Sequence, residues 1–168
     1  MSPEEAKGMA AFFTMVIENE MPTNIKVFEA VPEDKSGYRP DDKARSALEL
    51  ARHMAVSDLW FTDAVINGEF EMPSDEPEKA LTSVAQAIAV YKEKLPVALE
   101  KIKGLPGEQL AKEMNMFGVF NFPTVVYLSF LIRHSVHHRG QLSTYLRPMG
   151  GKVPSIYGGS ADEPMQMP

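Results

Sequence analysis

Apolar residues recur at helical spacing over four long segments of the chain, and helix-breaking residues lie between these segments. The first segment opens with SPEE. Here Ser2 can cap a helix, Pro3 suits its first turn and Glu5 completes a capping box. This helix is expected to reach about Ala30, with a kink or break before Pro22, because proline removes a helical hydrogen bond.

The other three segments predict three further long helices. Asp41 and Asp42 end a loop rich in breakers and are good capping residues for the second helix. We expect the third helix to bend at Pro96 and to end at Gly104. The second, third and fourth helices are predicted over residues 42–67, 78–104 and 123–146.

Two segments lack a long helical period. Residues 105–122 predict an irregular crossover between helices 3 and 4, with one short helical turn. The glycine- and proline-rich tail from Gly150 is expected to be extended, with Ile156 and Tyr157 as its anchors. Since alternating strand patterns do not recur, the chain is predicted to be an all-α four-helix bundle, formed by one domain over residues 1–168.

The composition limits which metal ligands and nucleophiles the side chains can supply. The chain has 168 residues, enough to bury a core without disulfides or a metal, so a metal would serve chemistry more than folding. It contains no cysteine, which excludes disulfides, thiolate nucleophiles and thiolate metal sites. Histidine and oxygen ligands are the ones left.

The charge distribution limits the classes of binding partner that are expected. The formal net charge is −6, and the 17 Lys and Arg residues are spread without a basic block, so neither nucleic acid nor an anionic membrane is expected as a partner. A small molecule or a protein is favoured. The N-terminal segment is acidic and its apolar run is interrupted by Glu18 and Glu20, so it does not resemble a targeting signal and a cytoplasmic location is expected.

Three of the four histidines lie close together in the predicted fourth helix. His134 and His138 are four residues apart, so they project from one helix face about one turn apart. His137 points about 100° away from His138 and is expected to be a bystander. Such a pair is equally compatible with a structural pair of core histidines and with two ligands of one metal ion.

The fourth histidine, His53, favours the metal interpretation. It lies on the core-facing side of the predicted second helix, together with Trp60 and Phe61. If helices 2 and 4 are neighbours, His53 meets His134 and His138 and completes a three-histidine site with at least one open coordination position.

Other residues near the histidines are weaker candidates. Tyr127, Leu131, Gln141 and Tyr145 share the His134 face on the helical wheel and predict a pocket of mixed polarity. Arg139 falls about 140° from His134 and is expected to face solvent or a neighbouring helix.

Acidic partners for the site are scarce on the second helix. Glu49 is the only acid there placed to support His53 or act as a base, although an ordinary surface carboxylate is the simpler interpretation. Asp58 points about 140° away from His53.

Two stretches, YRPDDKARSALELARHMAVSDLWF and HSVHHRGQLSTYLRPMGGKVPSIYG, resemble signatures of the DinB family, and with the helical pattern the resemblance covers essentially the whole chain. It implies a four-helix bundle, commonly dimeric, with a divalent ion held by one histidine of the second helix and two of the fourth. Those positions are His53, His134 and His138. His137 matches an additional histidine of the family pattern that is not a ligand.

The resemblance does not select a reaction. Some family members resemble transferases or isomerases that use low-molecular-weight thiols, so a metal-dependent enzyme acting on a small molecule is one expectation. A non-catalytic metal-binding or stress-associated protein is the alternative. Three histidines suit zinc, nickel, iron, cobalt or manganese equally, and no catalytic residue is assigned.

The apolar pattern of two helices suggests a partner chain. The predicted fourth helix is apolar on the His134 face and also on the opposite face, through Val125, Leu128, Ile132 and Val136. The second helix repeats this arrangement opposite His53. Since a bundle core uses one stripe of a helix fully, the second stripe predicts a homodimer.

Overall fold

The computed structural model describes residues 1–165. Its four long helices are α1 (Pro3–Glu29), α2 (Ala47–Asn67), α4 (Val84–Gly104) and α6 (Tyr127–Leu146), and its two short ones are α3 (Glu76–Lys79) and α5 (Gly107–Ala111). Helices α1 and α2 each pack against both α4 and α6. The four long helices therefore enclose one apolar core, which confirms the predicted four-helix bundle.

Local sequence signals account for most helix ends. The Ser2 hydroxyl accepts a hydrogen bond from the Glu5 amide and the Glu5 carboxylate accepts one from the Ser2 amide, so the predicted capping box of α1 is confirmed. Gly68 ends α2 with a φ of 75°, a left-handed conformation that glycine adopts without penalty. Helix α1 continues through Pro22 without a break.

The predicted start of the second helix was wrong by about five residues. Ser46, and not Asp41 or Asp42, caps α2, because its hydroxyl accepts from the Glu49 amide at 3.2 Å. The Glu49 carboxylate completes this capping box by accepting from the Ser46 amide at 2.6 Å. Ser46 and Glu49 have the spacing of a capping box in the sequence, but Asp41 and Asp42 are also good N-cap residues and were preferred.

The predicted third helix is divided. Residues 76–79 form the short α3, and α4 starts only at Val84 after the Ser83 cap. Helix α4 contains Pro96 and ends at Gly104, as expected. The division matters for the site, because α3 is free to pack against α2 independently of α4.

The crossover between α4 and α6 is more ordered than predicted. It contains the expected short turn, α5, and then a β-hairpin of β1 (Glu113–Met116) and β2 (Phe120–Pro123), with Met114 paired to Phe122. Phe117 and Gly118 both have positive φ at its turn. After a 3₁₀ turn, α6 begins at Tyr127 and not at Pro123.

A buried polar network crosses the bundle core. The Asp58 carboxylate of α2 accepts hydrogen bonds from the Tyr91 hydroxyl of α4 at 2.8 Å and the Ser135 hydroxyl of α6 at 2.9 Å. Asn24 of α1 donates to both of these hydroxyls at 3.0 Å. One side chain from each long helix therefore takes part, which specifies how the four helices face one another.

Arg139 extends this network to the surface. It is almost completely buried and donates to Asn24 Oδ1 at 3.0 Å and to Glu20 Oε2 at 2.5 Å. Arg139 was predicted to face either solvent or a neighbouring helix, and in the structure it faces a neighbouring helix, α1. Arg139 also donates to the hydroxyl of Tyr157, and Tyr157 donates to Glu20 at 2.9 Å, so Tyr157 anchors the C-terminal tail as predicted.

The second apolar stripe of α6 has a partner inside the chain. Val125 and Leu128 are fully buried in the bundle core, while Ile132 packs at its margin. Burial within one chain accounts for most of this stripe, so the stripe no longer argues for a partner chain. The homodimer stays a prediction. Over residues 1–165, none of the helices combines the length and apolarity that a bilayer span requires.

Candidate metal centre

Three histidines meet where α2 lies beside α6. His53 of α2 and His134 of α6 bring their Nε2 atoms to 3.1 Å, and His138 joins them one turn further along α6. One ring nitrogen from each of the three lies within 4.8 Å of the other two. The structure thus brings together the three residues that the sequence singled out as metal ligands.

His137 does not belong to this cluster. Its side chain is exposed to solvent, although its ring lies 4.8 Å from that of His138 between centroids. The helical rotation of about 100° per residue turns its nitrogens away from the α2–α6 interface. The expectation that His137 is a bystander agrees with this placement.

A carboxylate orients His53. Glu78 Oε1 of α3 lies 2.7 Å from His53 Nδ1. Because an ionised carboxylate only accepts hydrogen bonds, Nδ1 carries the proton and the lone pair of His53 lies on Nε2, which faces His134. This arrangement is the one by which carboxylates fix ligating histidines in metal sites.

Glu78 was missed in the sequence analysis, and Glu49 was preferred instead. In the structure Glu49 caps α2 and forms an ion pair with Arg39, so it does not support His53. Glu78 lies 25 positions along the chain from His53, within a segment predicted to be part of a longer helix. No local signal predicted that α3 would fold back onto α2.

A second chain of polar contacts orients His138. Its Nδ1 lies 3.0 Å from Gln141 Oε1, and Gln141 Nε2 donates to the Tyr145 hydroxyl at 3.3 Å. With the amide oxygen as acceptor, His138 carries its proton on Nδ1 and leaves Nε2 free. Gln141 and Tyr145 therefore lie near the cluster as the helical wheel predicted, whereas Tyr127 donates to Met114 O of the hairpin.

His134 is the most enclosed of the three. Burial, and then the nearby His138 and His53, lower its pKa to about 3, and burial also lowers the pKa of His138. These rings are thus neutral near pH 7, which is the form that binds metal ions. His134 Nδ1 is buried without a hydrogen-bond partner among the described residues.

Glu78 is ionised beside these neutral rings. Burial alone would raise its pKa, but the hydrogen bond from His53 and the positive charges of Arg45 and Arg52 together lower it. Arg45 Nη1 also donates to Glu78 Oε2 at 3.3 Å. The cluster is therefore a set of imidazole nitrogens with one supporting carboxylate.

The donor set fits a divalent transition metal ion. The Nε2 atoms of His53 and His134 are 3.1 Å apart, so they can share either one proton or one cation, depending on the tautomer of His134. Imidazole nitrogen suits zinc, nickel, iron and cobalt, and three protein ligands are the usual number where a coordination position stays open. The fold and the cluster together define a class of protein: a helical bundle that carries three histidines suited to binding a metal ion.

This chain belongs to the DinB family, whose model matches residues 13–166. The chain is 28% identical over 124 residues to the uncharacterized protein YjoA of Bacillus subtilis, which covers 73% of this chain and 79% of YjoA. It is also 41% identical over 54 residues to the uncharacterized protein YrdA of the same organism, 32% of each chain.

Solved structures support the same fold. The crystal structure of the DinB-like protein YjoA from Bacillus subtilis matches with a TM-score of 0.66 at 22% identity, covering 83% of this chain and 92% of that one. A DinB-like protein from Bacillus cereus matches with a TM-score of 0.72 at 20% identity, covering 86% and 95%. At these identities the likeness shows the fold alone.

Proposed function

We propose that this protein is a metal-dependent enzyme that acts on a small molecule, with His53, His134 and His138 as the ligands of a divalent transition metal ion. The observation that carries the proposal is the convergence of three ring nitrogens within 4.8 Å, supported by Glu78 on His53 and Gln141 on His138. Family membership agrees with a metal-binding bundle.

The surroundings of the cluster favour chemistry over a purely structural role. The bundle core is formed without these residues, since the fully buried apolar side chains of all four long helices pack together elsewhere. The His53 and Glu78 side chains are 16% and 19% exposed, so the cluster lies at the margin of the bundle and is partly open to solvent. Three ligands leave at least one coordination position for a small molecule.

A bound divalent ion would supply Lewis acidity, which polarises a substrate or lowers the pKa of a coordinated water or thiol. The chain's own residues do the rest. Glu78 holds His53 in one tautomer, Gln141 does so for His138, and burial keeps His134 neutral. The family resemblance makes a thiol-dependent transfer the first reaction to test.

The test is elemental analysis of protein purified without added metal, compared between His53→Ala and His137→Ala variants. His53→Ala removes one of three ligands and leaves only a chelating pair, so we expect it to lose most bound metal. His137→Ala is the matched control, because His137 lies on the same helix as two ligands but outside the cluster, and it should keep the stoichiometry of the native chain.

Equal metal contents in both variants would refute the ligand assignment. The enzymatic part needs its own measurement: a screen of thiol transfer to electrophilic small molecules with the metal-loaded protein. Turnover that is present in His137→Ala and lost in His53→Ala would support a metal-dependent enzyme. Metal bound by the three histidines without any exchangeable position would instead support the non-catalytic alternative.

A further inference from the structure

A cavity of about 370 Å³ lies beside the histidine cluster, at the N-terminal end of α2. Glu78 connects the two features, because it lines the cavity and its Oε1 contacts His53. The volume is within the range of about 300–1,000 Å³ that small-molecule sites occupy. A molecule bound in this cavity would thus lie next to the proposed metal centre.

The lining of the cavity has one more basic than acidic side chain, although the chain as a whole is acidic. Five basic and four acidic side chains line it, whereas the whole chain has a net charge of −6. Two of the four acids, Glu49 and Glu78, already accept hydrogen bonds. Glu49 accepts from the Ser46 amide and from Arg39, and Glu78 accepts from His53 and Arg45.

Arg52 forms a long ion pair with Glu49 but has no hydrogen-bond partner among the described residues. Its side chain is only 20% exposed, yet it donates no hydrogen bond to any of residues 1–165, and its Nε is buried and unpaired. The nearest carboxylate oxygen, Glu49 Oε1, is 3.8 Å from Nη2, beyond hydrogen-bond range. A guanidinium has five donors, and leaving them unpaired away from water is costly.

The backbone of α2 does not supply an alternative anion site. The amides of Ala47 and Leu48 donate to Tyr38 O at 2.9 Å and Ser36 O at 2.8 Å, and the Glu49 amide donates to the Ser46 cap. The first turn of the helix is therefore occupied. Any anion that enters the cavity has to be bound by side chains.

We propose that this cavity binds a carboxylate group of the small molecule on which the metal centre acts, with Arg52 as its main donor and Arg45 as the second. This inference rests on the proposed function. Arg52 offers a planar fork of donors that matches a carboxylate. Arg45 uses only Nη1, towards Glu78, and is well exposed along the same cavity.

The consequence is a division of roles within one substrate. The carboxylate is held at the start of α2, and the reactive group lies towards His53, on the other side of Glu78. Substrates without an acidic group lose the contact with Arg52 and should bind more weakly. The protein therefore selects small acids, or thiols and electrophiles that carry one.

The test uses succinate as the probe and neutral succinamide as its matched analogue, titrated calorimetrically into the full-length protein. Both metal-loaded protein and protein stripped with a chelator and then desalted are used, and metal content is measured in every sample. The variants are Arg52→Gln and Arg45→Gln. Arg133→Gln is the control, since the contacts of the Arg133 guanidinium within residues 1–165 are with Ser129 and Phe130 of its own helix.

We expect succinate to bind both forms of the native chain and succinamide to bind neither. Arg52→Gln should weaken succinate binding at least about tenfold, as expected for loss of a charge-assisted hydrogen bond, and Arg45→Gln should weaken it less. Arg133→Gln should bind like the native chain. All variants should keep their metal content, because neither Arg52 nor Arg45 hydrogen-bonds to a histidine among the described residues and Glu78 keeps its contact with His53.

Several results would overturn the proposal. These are no binding of succinate by the native chain at millimolar concentration, equal binding of succinamide, and unchanged affinity in Arg52→Gln. Binding that requires metal and ignores Arg52 would place the carboxylate on the ion instead. If Arg52→Gln does not fold by circular dichroism, Arg45→Gln decides. Since stripped protein is included, a failure of the metal assignment is read separately from a failure of the carboxylate site.

Discussion

Two polar clusters join the same pair of helices, α2 and α6, and they differ in how their polar atoms are paired. In the core, Asp58 and Ser135 belong to a network of donors and acceptors in which Asp58 Oδ1 is the one side-chain atom without a hydrogen-bond partner among the described residues. At the margin, His53, His134 and His138 point ring nitrogens at one another. Five residues along α2 and one residue along α6 separate the two arrangements.

The difference separates stability from binding. A network of paired donors and acceptors holds helices in one register and needs no metal ion. Ring nitrogens that converge on one another have to share a proton or a cation. The comparison predicts that substitutions in the core network lower the free energy of unfolding, while substitutions around the histidines lower the metal affinity.

The largest effect on stability is expected from Arg139→Met. This change leaves the Glu20 carboxylate and Asn24 Oδ1 without their cationic donor, and breaking a buried ion pair on one side costs about 3 kcal/mol or more. Urea unfolding measures the loss, with Arg133→Met as a control of equal charge change on the same helix. If Arg139→Met unfolds like the native chain, or if its folded form loses metal, the core network and the histidine cluster do not have separate roles in stability and binding.

Glu78→Gln should show the opposite pattern. It removes the carboxylate that fixes the tautomer of His53, and losing such a supporting group lowers metal affinity about 10- to 100-fold. The control is Glu76→Gln on the same short helix, where the carboxylate contacts only Lys79. Competition with a metal-binding dye gives the affinities. Identical values for the two variants would mean that Glu78 does not orient His53.

The smallest effect is a change in the pH dependence of stability caused by Asp58→Asn. Burial raises the pKa of Asp58 to about 7, although the Tyr91 and Ser135 hydroxyls oppose the shift. A raised pKa means that the folded chain binds the proton more tightly than the unfolded chain. The stabilising contribution is thus complete below about pH 4 and is lost as the pH rises to about 7.

Asp58→Asn has no such titration, so the difference in unfolding free energy between the native chain and the variant isolates the carboxyl group. As the pH rises from about 5 to about 8, this difference should shift against the native chain by more than about 1.4 kcal/mol, the equivalent of one pKa unit. Urea unfolding at both pH values measures it. A constant difference would show that Asp58 is ionised in both states.

The sequence predicted which histidines come together, but it did not predict that Glu78 orients His53. His134 and His138 share a face because they are one helical turn apart, and this relation does not depend on the rest of the fold. Glu78 contacts His53 only because residues 68–83 turn back and place α3 on α2. That path is a property of the packed chain, and the run of polar residues around Glu78 contains no period that predicts it.

The core network shows the same limit. The wheel placed Asp58 away from His53, but a direction on one helix does not say what the residue meets. Asp58 meets Tyr91 and Ser135 because α2 lies between α4 and α6. The hairpin was missed for a related reason: its strands have four residues each, too few for an alternating pattern to stand out.

By itself, then, the sequence determined the four long helices, the common face of His134 and His138, the absence of thiolate ligands and nucleophiles from the chain's own side chains, and the different direction in which His137 points. These features depend on neighbours within about one or two helical turns, where the backbone geometry is known in advance. Only the tertiary structure decided that Glu78 supports His53, that the Nε of Arg52 is buried beside a cavity without a hydrogen-bond partner among the described residues, and that Arg139 is buried against α1. Those contacts join residues far apart along the chain, and their distances are set by how helices pack, which no local period encodes.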